Sequence, residues 1–544
     1  MITETERKHE ILLGDEAVAL AAVHAGVTAS YAYPGTPSTE IVEYLIKYSD
    51  RHGGPHAAWC TNEKTAFEEA LGTSFAGRRA LVAMKHVGLN VAADPFINSA
   101  IVSIHGGVVV AVADDPGMHS SQNEQDSRYL VDFARLICLE PTSQQQAYEM
   151  TREAFDLSEK FNIPVVIRLV TRIAHSRAVV YLDEPRDENP VSKVPDASSW
   201  ILLPTNARRQ WHELLERQKD MLAYSETCPY NELDLNEEWR GLGVITTGIA
   251  RNYYAENIDE LENKPSHLHI GAYPLPVEKI RTLVGHVKKV LVLEEGYPYL
   301  ERYLRGIIPP PIEIMGKESG HVPPEGELDP DVVRSALGLP GRPRIELDDF
   351  ELPGRPPQLC AGCPHADSYA SIRQAVSGFE EAMVTSDIGC YTLGALPPYS
   401  AIETCVCMGA SIGIAKGAAE AGYQHVVAVI GDSTFLHSGT APLMDAVAAD
   451  TNMTVMILDN ETVGMTGAQQ TMLPSTRLRE VILGIGVDPE HFQVLDAHPK
   501  NADLNGKFIH KEITHEGLSV IVSRRSCPEM LKKLKKKRKE DNQK

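Results

Sequence analysis

The chain has 544 residues, 43% of them hydrophobic and 23% charged, with a formal net charge of −22 at pH 7. This length exceeds what one hydrophobic core serves, so about three or four domains are expected of an otherwise ordinary soluble composition. The acidic balance excludes a general nucleic-acid binder, whose phosphate contacts need a basic surface.

The N-terminal stretch Met1–Glu10 is charged and lacks the apolar centre of a signal peptide. No run of about eighteen apolar residues occurs anywhere, so no membrane-spanning helix is expected. Nine cysteines without a secretory signal point to a reducing, cytoplasmic setting, where clustered thiols act as ligands or reactive groups rather than as disulfides.

Residues 1–185 alternate apolar runs with amphipathic stretches. Leu81–Met84, Gly107–Ala113 and Pro164–Val170 read as buried parallel strands. Glu63 falls at the start of a helix here, where a carboxylate is electrostatically at home. Residues 186–238, rich in Pro, Asp, Glu and Asn, read as a crossover with one charged helix over about Ala207–Glu226. A second α/β segment, 239–340, holds the runs Gly243–Gly248, Leu268–Gly271 and Lys289–Glu295. Residues 341–358, dense in Pro and Arg, read as a linker. A third α/β segment spans 359–527. The basic run Lys532–Lys539 marks 528–544 as a solvated, partly disordered tail, or as a docking element for an acidic partner. The expected architecture is therefore α/β: three doubly wound domains with mainly parallel sheets.

The third segment carries the most informative pattern. The apolar run His425–Ile430 leads into Gly431-Asp432-Ser433, and a second run, Asn452–Leu458, ends at Asp459-Asn460-Glu461-Thr462. Strands joined by one helix lie parallel, so both ends open on the same sheet edge, where ligands of open α/β sheets bind. Asp432, Asn460 and the Thr462 carbonyl offer three hard oxygens, the set Mg²⁺ prefers, with water or phosphate completing its shell. The plain alternative is a structural turn after a core strand.

Six ordered motifs sharpen this picture: Tyr33–Glu40 (Tyr-Pro-Gly-Thr-Pro-Ser-Thr-Glu), Asn62–Phe67, Met84–Pro95, Cys360-Ala-Gly-Cys-Pro-His365, Ser386–Gly394 and Gly464–Gln469. Together with the Gly-Asp-Ser…Asn pattern, which is similar to the diphosphate-binding motif of thiamine diphosphate enzymes, they resemble the large (α) subunit of indolepyruvate:ferredoxin oxidoreductase, of the 2-oxoacid:ferredoxin oxidoreductase superfamily. The likeness runs from about residue 10 to 527. It implies a pyrimidine-binding domain, a transketolase C-terminal-like domain and a diphosphate-binding domain, in that order. It also implies oxidative decarboxylation of an arylpyruvate, with coenzyme A as acyl acceptor and electrons leaving one at a time through iron–sulfur centres.

By this resemblance Glu63 is the partner of the aminopyrimidine, a role that needs a buried carboxyl able to hold a proton. Asp432, Asn460 and Thr462 hold Mg²⁺. Gly431, Ser433 and the turn Gly464, Met465, Thr466 line the diphosphate and thiazolium. Asp387, Ile388 and Gly389, with Gly409–Gly413, offer backbone amides to phosphate, and Cys363 and His365 lie near the same group. Thr36, Lys85 and His86 are the candidates for the substrate carboxylate, against a reading of Lys85 as a surface lysine at a strand end.

Cys360, Cys363 and Cys390 match ligands of an iron–sulfur cluster, with Cys527, Cys405 or Cys407 as the fourth thiolate of a [4Fe–4S] centre. A zinc site, or a loop that only wraps the diphosphate, are the alternatives. The sequence departs from the family in having no Cys-x-x-Cys-x-x-Cys-x-x-x-Cys-Pro run. Electrons are therefore expected to exit through the Cys360/Cys363/Cys390 set, ferredoxin or a partner chain, the small (β) subunit of a hetero-oligomer being the first expected. A non-oxidative decarboxylase or lyase, and a catalytically silent scaffold, are the competing functions.

Overall fold

The computed structural model describes residues 8–192, 197–307, 312–343 and 357–541. The chain divides into two compact units, Met1–Glu346 and Leu347–Lys544.

The first unit begins with β1 (His9–Leu13), followed by β2 (Ala29–Ala32), β3 (His56–Trp59), β4 (Ala80–Lys85), β5 (Val108–Asp114), β6 (Ile137–Leu139), β7 (Val165–Val170) and β8 (Arg177–Tyr181). It continues through β9 (Asn231–Asp234), β10 (Gly243–Thr247), β11 (Ser266–Ile270), β12 (Ala272–Tyr273), β13 (Lys289–Leu293) and β14 (Glu313–Met315). Its main sheet has seven strands in the order β12-β6-β7-β5-β4-β2-β3. All neighbours run parallel except β12, which pairs antiparallel with β6 through Ala272–Leu139 and Tyr273–Cys138. Strands β4, β5 and β7 are buried along their whole length, so their near-continuous Val, Ala, Leu and Ile runs face helices on both sides.

A second sheet in the same unit, β14-β13-β10-β11-β9, is parallel apart from β9 at its edge. The charged crossover helix occupies Pro204–Thr227. A small β1-β8 ribbon ties the beginning of the unit to its middle.

The second unit holds β15 (Met383–Thr385), β16 (Val426–Gly431), β17 (Met453–Asp459), β18 (Thr462–Val463), β19 (Gln469–Gln470), β20 (Phe492–Asp496) and β21 (Leu518–Arg524). Its five-stranded sheet, β15-β16-β17-β21-β20, is parallel throughout, while β18 and β19 form a separate hairpin. The connection from β16 to β17 is helical over 432–448, with a π turn at Phe435–Gly439.

The expected Pro/Arg linker falls largely on 344–356, outside the described residues. The basic run departs from the expectation of a disordered tail, because Pro528–Asp541 is an α-helix. Pro at its first turn and the helix-forming Leu, Lys, Arg and Glu that follow account for it. Among the described residues no helix is long and apolar enough to cross a membrane.

Candidate functional site

Each unit presents chemistry at the carboxyl edge of its parallel sheet. In the first unit, Thr36 follows β2, Lys85 ends β4 and His86 opens the helix His86–Val91. Glu63 opens the helix Glu63–Phe75, whose first turn is capped by Asn62 accepting from the Thr65 amide at 2.9 Å. Glu63 is buried, with 4% exposure. The glycine two residues after His86 is explained by it: a Cβ on Gly88 would come within 2.5 Å of Glu63 Oε1.

The loop around Thr36 is fixed by Ser120, whose hydroxyl donates to the Thr36 carbonyl at 3.1 Å. Lys85 is buried rather than at the surface, and its Nζ donates to the Ser120 carbonyl at 3.2 Å. Burial lowers its pKa to about 8, against the pull of Asp115 and Glu63. The His86 Nε2 lies 3.2 Å from the Asn123 carbonyl, which makes it the protonated nitrogen, while the buried Nδ1 has no hydrogen-bond partner. Burial holds this imidazole neutral by lowering its pKa. The edge thus gathers Thr36, Lys85, His86 and Glu63 as one set.

Behind that edge lies an ion-pair network invisible in the sequence. Arg168 on β7 meets Asp114 at 2.8 Å and also pairs with Glu140. Arg128 meets Asp126 at 2.6 Å and Glu294, just past β13, at 3.1 Å. All are buried. Each of the four acids has a guanidinium partner, two acids to each arginine, and the network joins the two sheets of this unit.

In the second unit, β16 and β17 are adjacent and parallel, with Gly431 opposite Leu458, so Asp432 and Asn460 do emerge on one edge. Gly431 is required by Tyr391, whose ring a Cβ would meet at 2.6 Å. Asp432 is buried and accepts the Glu461 amide at 3.1 Å. Among the described residues no cationic side chain pairs with it. Burial and the neighbouring Asp459 carboxylate push its pKa well above the usual carboxylate range. Asp459, unremarked in the sequence, is instead held by Arg524 at 2.6 Å and Ser475 at 2.6 Å.

Asn460 is oriented from both ends. Its Nδ2 donates to His365 Nε2 at 3.1 Å, and its Oδ1 accepts the Thr462 amide at 3.1 Å. His365 can accept because burial lowers its pKa to about 4 and keeps the ring neutral. The Oδ1 keeps a second lone pair. A buried, unneutralised Asp432 beside an amide oxygen is a donor set short of positive charge, and a hard divalent cation fits it.

The Ser386–Gly389 loop is held by neighbouring side chains. Ser386 N donates to Thr404 Oγ1 at 3.0 Å, Gly389 N to Thr392 Oγ1 at 3.1 Å and Ser411 N to Asp387 Oδ2 at 3.2 Å. These bonds tie the loop to Thr404, Thr392 and the start of the helix Ala410–Glu420. Asp387, raised to about 6 by burial, accepts from the Ser411 and Tyr391 hydroxyls, and the Ile388 carbonyl accepts from Thr434 at 3.2 Å. The predicted turn residues Gly464, Met465 and Thr466 sit between β18 and β19, closed by Thr466 Oγ1 donating to Gln469 at 2.7 Å. Met465 is half exposed, and Ser433 follows Asp432 at the helix start.

The cysteines converge. A cavity of about 70 Å³ is lined by Cys360, Cys363, Cys390 and Cys527 together with His365, Asn460 and Gly464. Cys405 and Cys407 are exposed and do not line it. Burial and the other three sulfurs push Cys390 up to about 12. Among the described residues no three of these sulfurs lie within 4.8 Å of one another.

Comparisons with known proteins agree with both edges. Residues 20–200 match the family model described as pyruvate flavodoxin/ferredoxin oxidoreductase, thiamine diP-bdg. Residues 387–492 match thiamine pyrophosphate enzyme, C-terminal TPP binding domain. Indolepyruvate oxidoreductase subunit IorA of Archaeoglobus fulgidus is 36% identical over 97% of this chain and 88% of its own. The chain belongs to the indolepyruvate oxidoreductase IorA-subunit family. The IorA subunit of Methanothermobacter marburgensis is 38% identical over 95% of this chain and 86% of its own. The fold is shared with the 2-oxoglutarate:ferredoxin oxidoreductase of Magnetococcus marinus, at a TM-score of 0.51 and 18% identity over 61% of this chain and 66% of that one. As an IorA-family chain it is a subunit of a thiamine diphosphate-dependent 2-oxoacid oxidoreductase.

Proposed function

We propose that this chain binds thiamine diphosphate with Mg²⁺ and carries out the oxidative decarboxylation of arylpyruvates such as indolepyruvate to acyl-CoA, in complex with a small partner subunit. The observation that carries the oxidative reading over a redox-free decarboxylase is the cysteine cavity. Its wall includes Asn460, His365 and Gly464, so a cluster held there lies beside the residues assigned to the diphosphate. A silent scaffold has no use for a buried Glu63, an unneutralised Asp432 and four convergent thiols.

When bound, thiamine diphosphate supplies the nucleophilic carbon and the electron sink for loss of CO₂. This chain's residues do the rest. Glu63 exchanges a proton with the aminopyrimidine ring nitrogen from a site closed to water. Asp432, Asn460 and the Thr462 carbonyl hold Mg²⁺, with His365 fixing the Asn460 amide. Gly431 and Ser433, with the turn Gly464–Thr466, follow the diphosphate. Lys85 and Thr36 take the substrate carboxylate, and the unpartnered Nδ1 of neutral His86 accepts a hydrogen bond from substrate or cofactor. Cys360, Cys363, Cys390 and Cys527 would hold a [4Fe–4S] cluster, which would supply one-electron redox chemistry there. The helix Pro528–Asp541 starts at that cavity, through Pro528 and Glu529, and its exposed lysines suit an acidic carrier such as ferredoxin.

The test is anaerobic purification with the partner subunit, followed by iron and sulfide analysis, a visible spectrum and viologen reduction on adding an arylpyruvate and coenzyme A. Cluster absorbance with substrate-dependent reduction is expected. Aldehyde release with no reduction would select the redox-free alternative.

A further inference from the structure

Away from the cysteines and the Asp432 edge, one buried carboxylate in the first unit has no account. Asp15 is the second residue of the helix Gly14–His24 and is fully buried, and neither of its carboxylate oxygens has a hydrogen-bond partner. The helix start favours an anion, yet no amide reaches it. Protonation alone does not rescue the group, because a carboxylic acid still needs a partner for its O–H and its C=O.

Two further metal-ligating groups face it. Glu40 lies in the first turn of the helix Thr39–His52, and His175 ends the short helix Thr171–His175. One ligand atom from each of Asp15, Glu40 and His175 falls within a common 4.8 Å, with Glu40 Oε2 3.3 Å from His175 Nε2. The surrounding charges are already engaged. Glu16 accepts the Leu13 amide at 2.9 Å and lies 3.9 Å from Arg177; Arg172 meets Glu327 at 3.1 Å; Lys47 meets Glu43 at 3.1 Å. Burial, Glu40 and Glu16 all raise the Asp15 pKa, while Glu40 raises that of His175. The frame is tight, since a Cβ on Gly14 would come within 2.2 Å of the Ile173 carbonyl.

We propose that Asp15, Glu40 and His175 form a second cation site, for a divalent first-row metal ion such as Mn²⁺. Two carboxylates and one imidazole suit such an ion, and the exposed side at Glu40 and His175 leaves room for water to complete its shell. The ion supplies the partner both Asp15 oxygens lack. It also ties together three helix ends around the Thr36–Pro37 loop, because Glu40 follows that loop in sequence and the Pro37 backbone lies against His175. The role is to stiffen the substrate-side loop from behind.

The test uses the full chain in an Asp432→Ala background, stripped with chelator and titrated with Mn²⁺ by calorimetry and thermal melting. That background removes the other oxygen site, and Mn²⁺ discriminates against the thiols. One Mn²⁺ per chain is expected, with a rise in melting temperature. Asp15→Asn and His175→Ala, each added to that background, should weaken binding at least about tenfold. In chelator, Asp15→Asn should melt no lower than its parent, since it removes an unsatisfied charge. Absence of Mn²⁺ binding in the parent, or unchanged affinity in the surface variant His175→Ala, would overturn the proposal, whatever becomes of the thiamine reading.

Discussion

The two sheet edges manage buried charge in opposite ways. In the first unit, acids behind the edge are paired inside the protein, two to each arginine: Arg168 serves Asp114 and Glu140, and Arg128 serves Asp126 and Glu294. In the second unit, Asp432 is buried beside another carboxylate, Asp459, and it is Asp459 that Arg524 binds. In the first arrangement each of the four acids has a guanidinium partner and the pairs serve rigidity; in the second Asp432 has none among the described residues and serves binding. Acids that share internal arginines therefore mark scaffold, and a buried acid without a cationic partner marks a site.

Four experiments break or sharpen that contrast. The largest effect is expected from Glu63→Gln, which keeps the shape but removes the exchangeable proton. Turnover should fall about 100-fold or more while calorimetric affinity for thiamine diphosphate holds; undiminished turnover would strike Glu63 from the chemistry. Next, Arg168→Ala should destabilise the chain by about 3–5 kcal/mol in denaturant melts, because it strands Asp114 and Glu140.

Asp432→Ala should do the reverse to the cofactor-free chain. It removes an unmatched buried acid and should raise the melting temperature slightly, while abolishing Mg²⁺-dependent cofactor retention. The sign with pH follows from its raised pKa: protons compete with Mg²⁺, so retention in the wild type weakens as pH falls. If Asp432→Ala destabilises the cofactor-free chain as Arg168→Ala does, the contrast fails. The smallest effect is on Lys85, with its pKa near 8. The KM for an arylpyruvate should climb above pH 8 as the ammonium is lost, by up to about tenfold per pH unit, and a KM flat to pH 9.5 would remove Lys85 from carboxylate binding.

Much of this was legible in the sequence because local pattern and tertiary role coincide. Strands β4, β16 and β17 are near-continuous apolar runs, and the residues ending or following them carry the chemistry. The convergence of Cys527 with Cys360, Cys363 and Cys390 was open, because nothing near residue 527 encodes a contact more than a hundred residues away. Asp459, the Arg168 and Glu294 contacts of the ion-pair network and the two-residue strand β12 were unreadable for the same reason: each is defined by partners distant in sequence. That Thr404 and Thr392 take the Ser386 and Gly389 amides was not legible, because a glycine-rich turn does not reveal which side chains its amides will meet. The basic helix was missed because like charges suggested solvation over helix propensity.

Strand β12 carries a final consequence. By lending Ala272 and Tyr273 to β6, the later segment completes a sheet begun more than a hundred residues earlier, while Glu294 completes an ion pair begun at Arg128. A fragment ending near residue 185 would leave β6 an open, sticky margin and Arg128 stripped of one counter-ion. The two sheets of this unit are thus a single heritable piece, to be recombined, expressed or lost together.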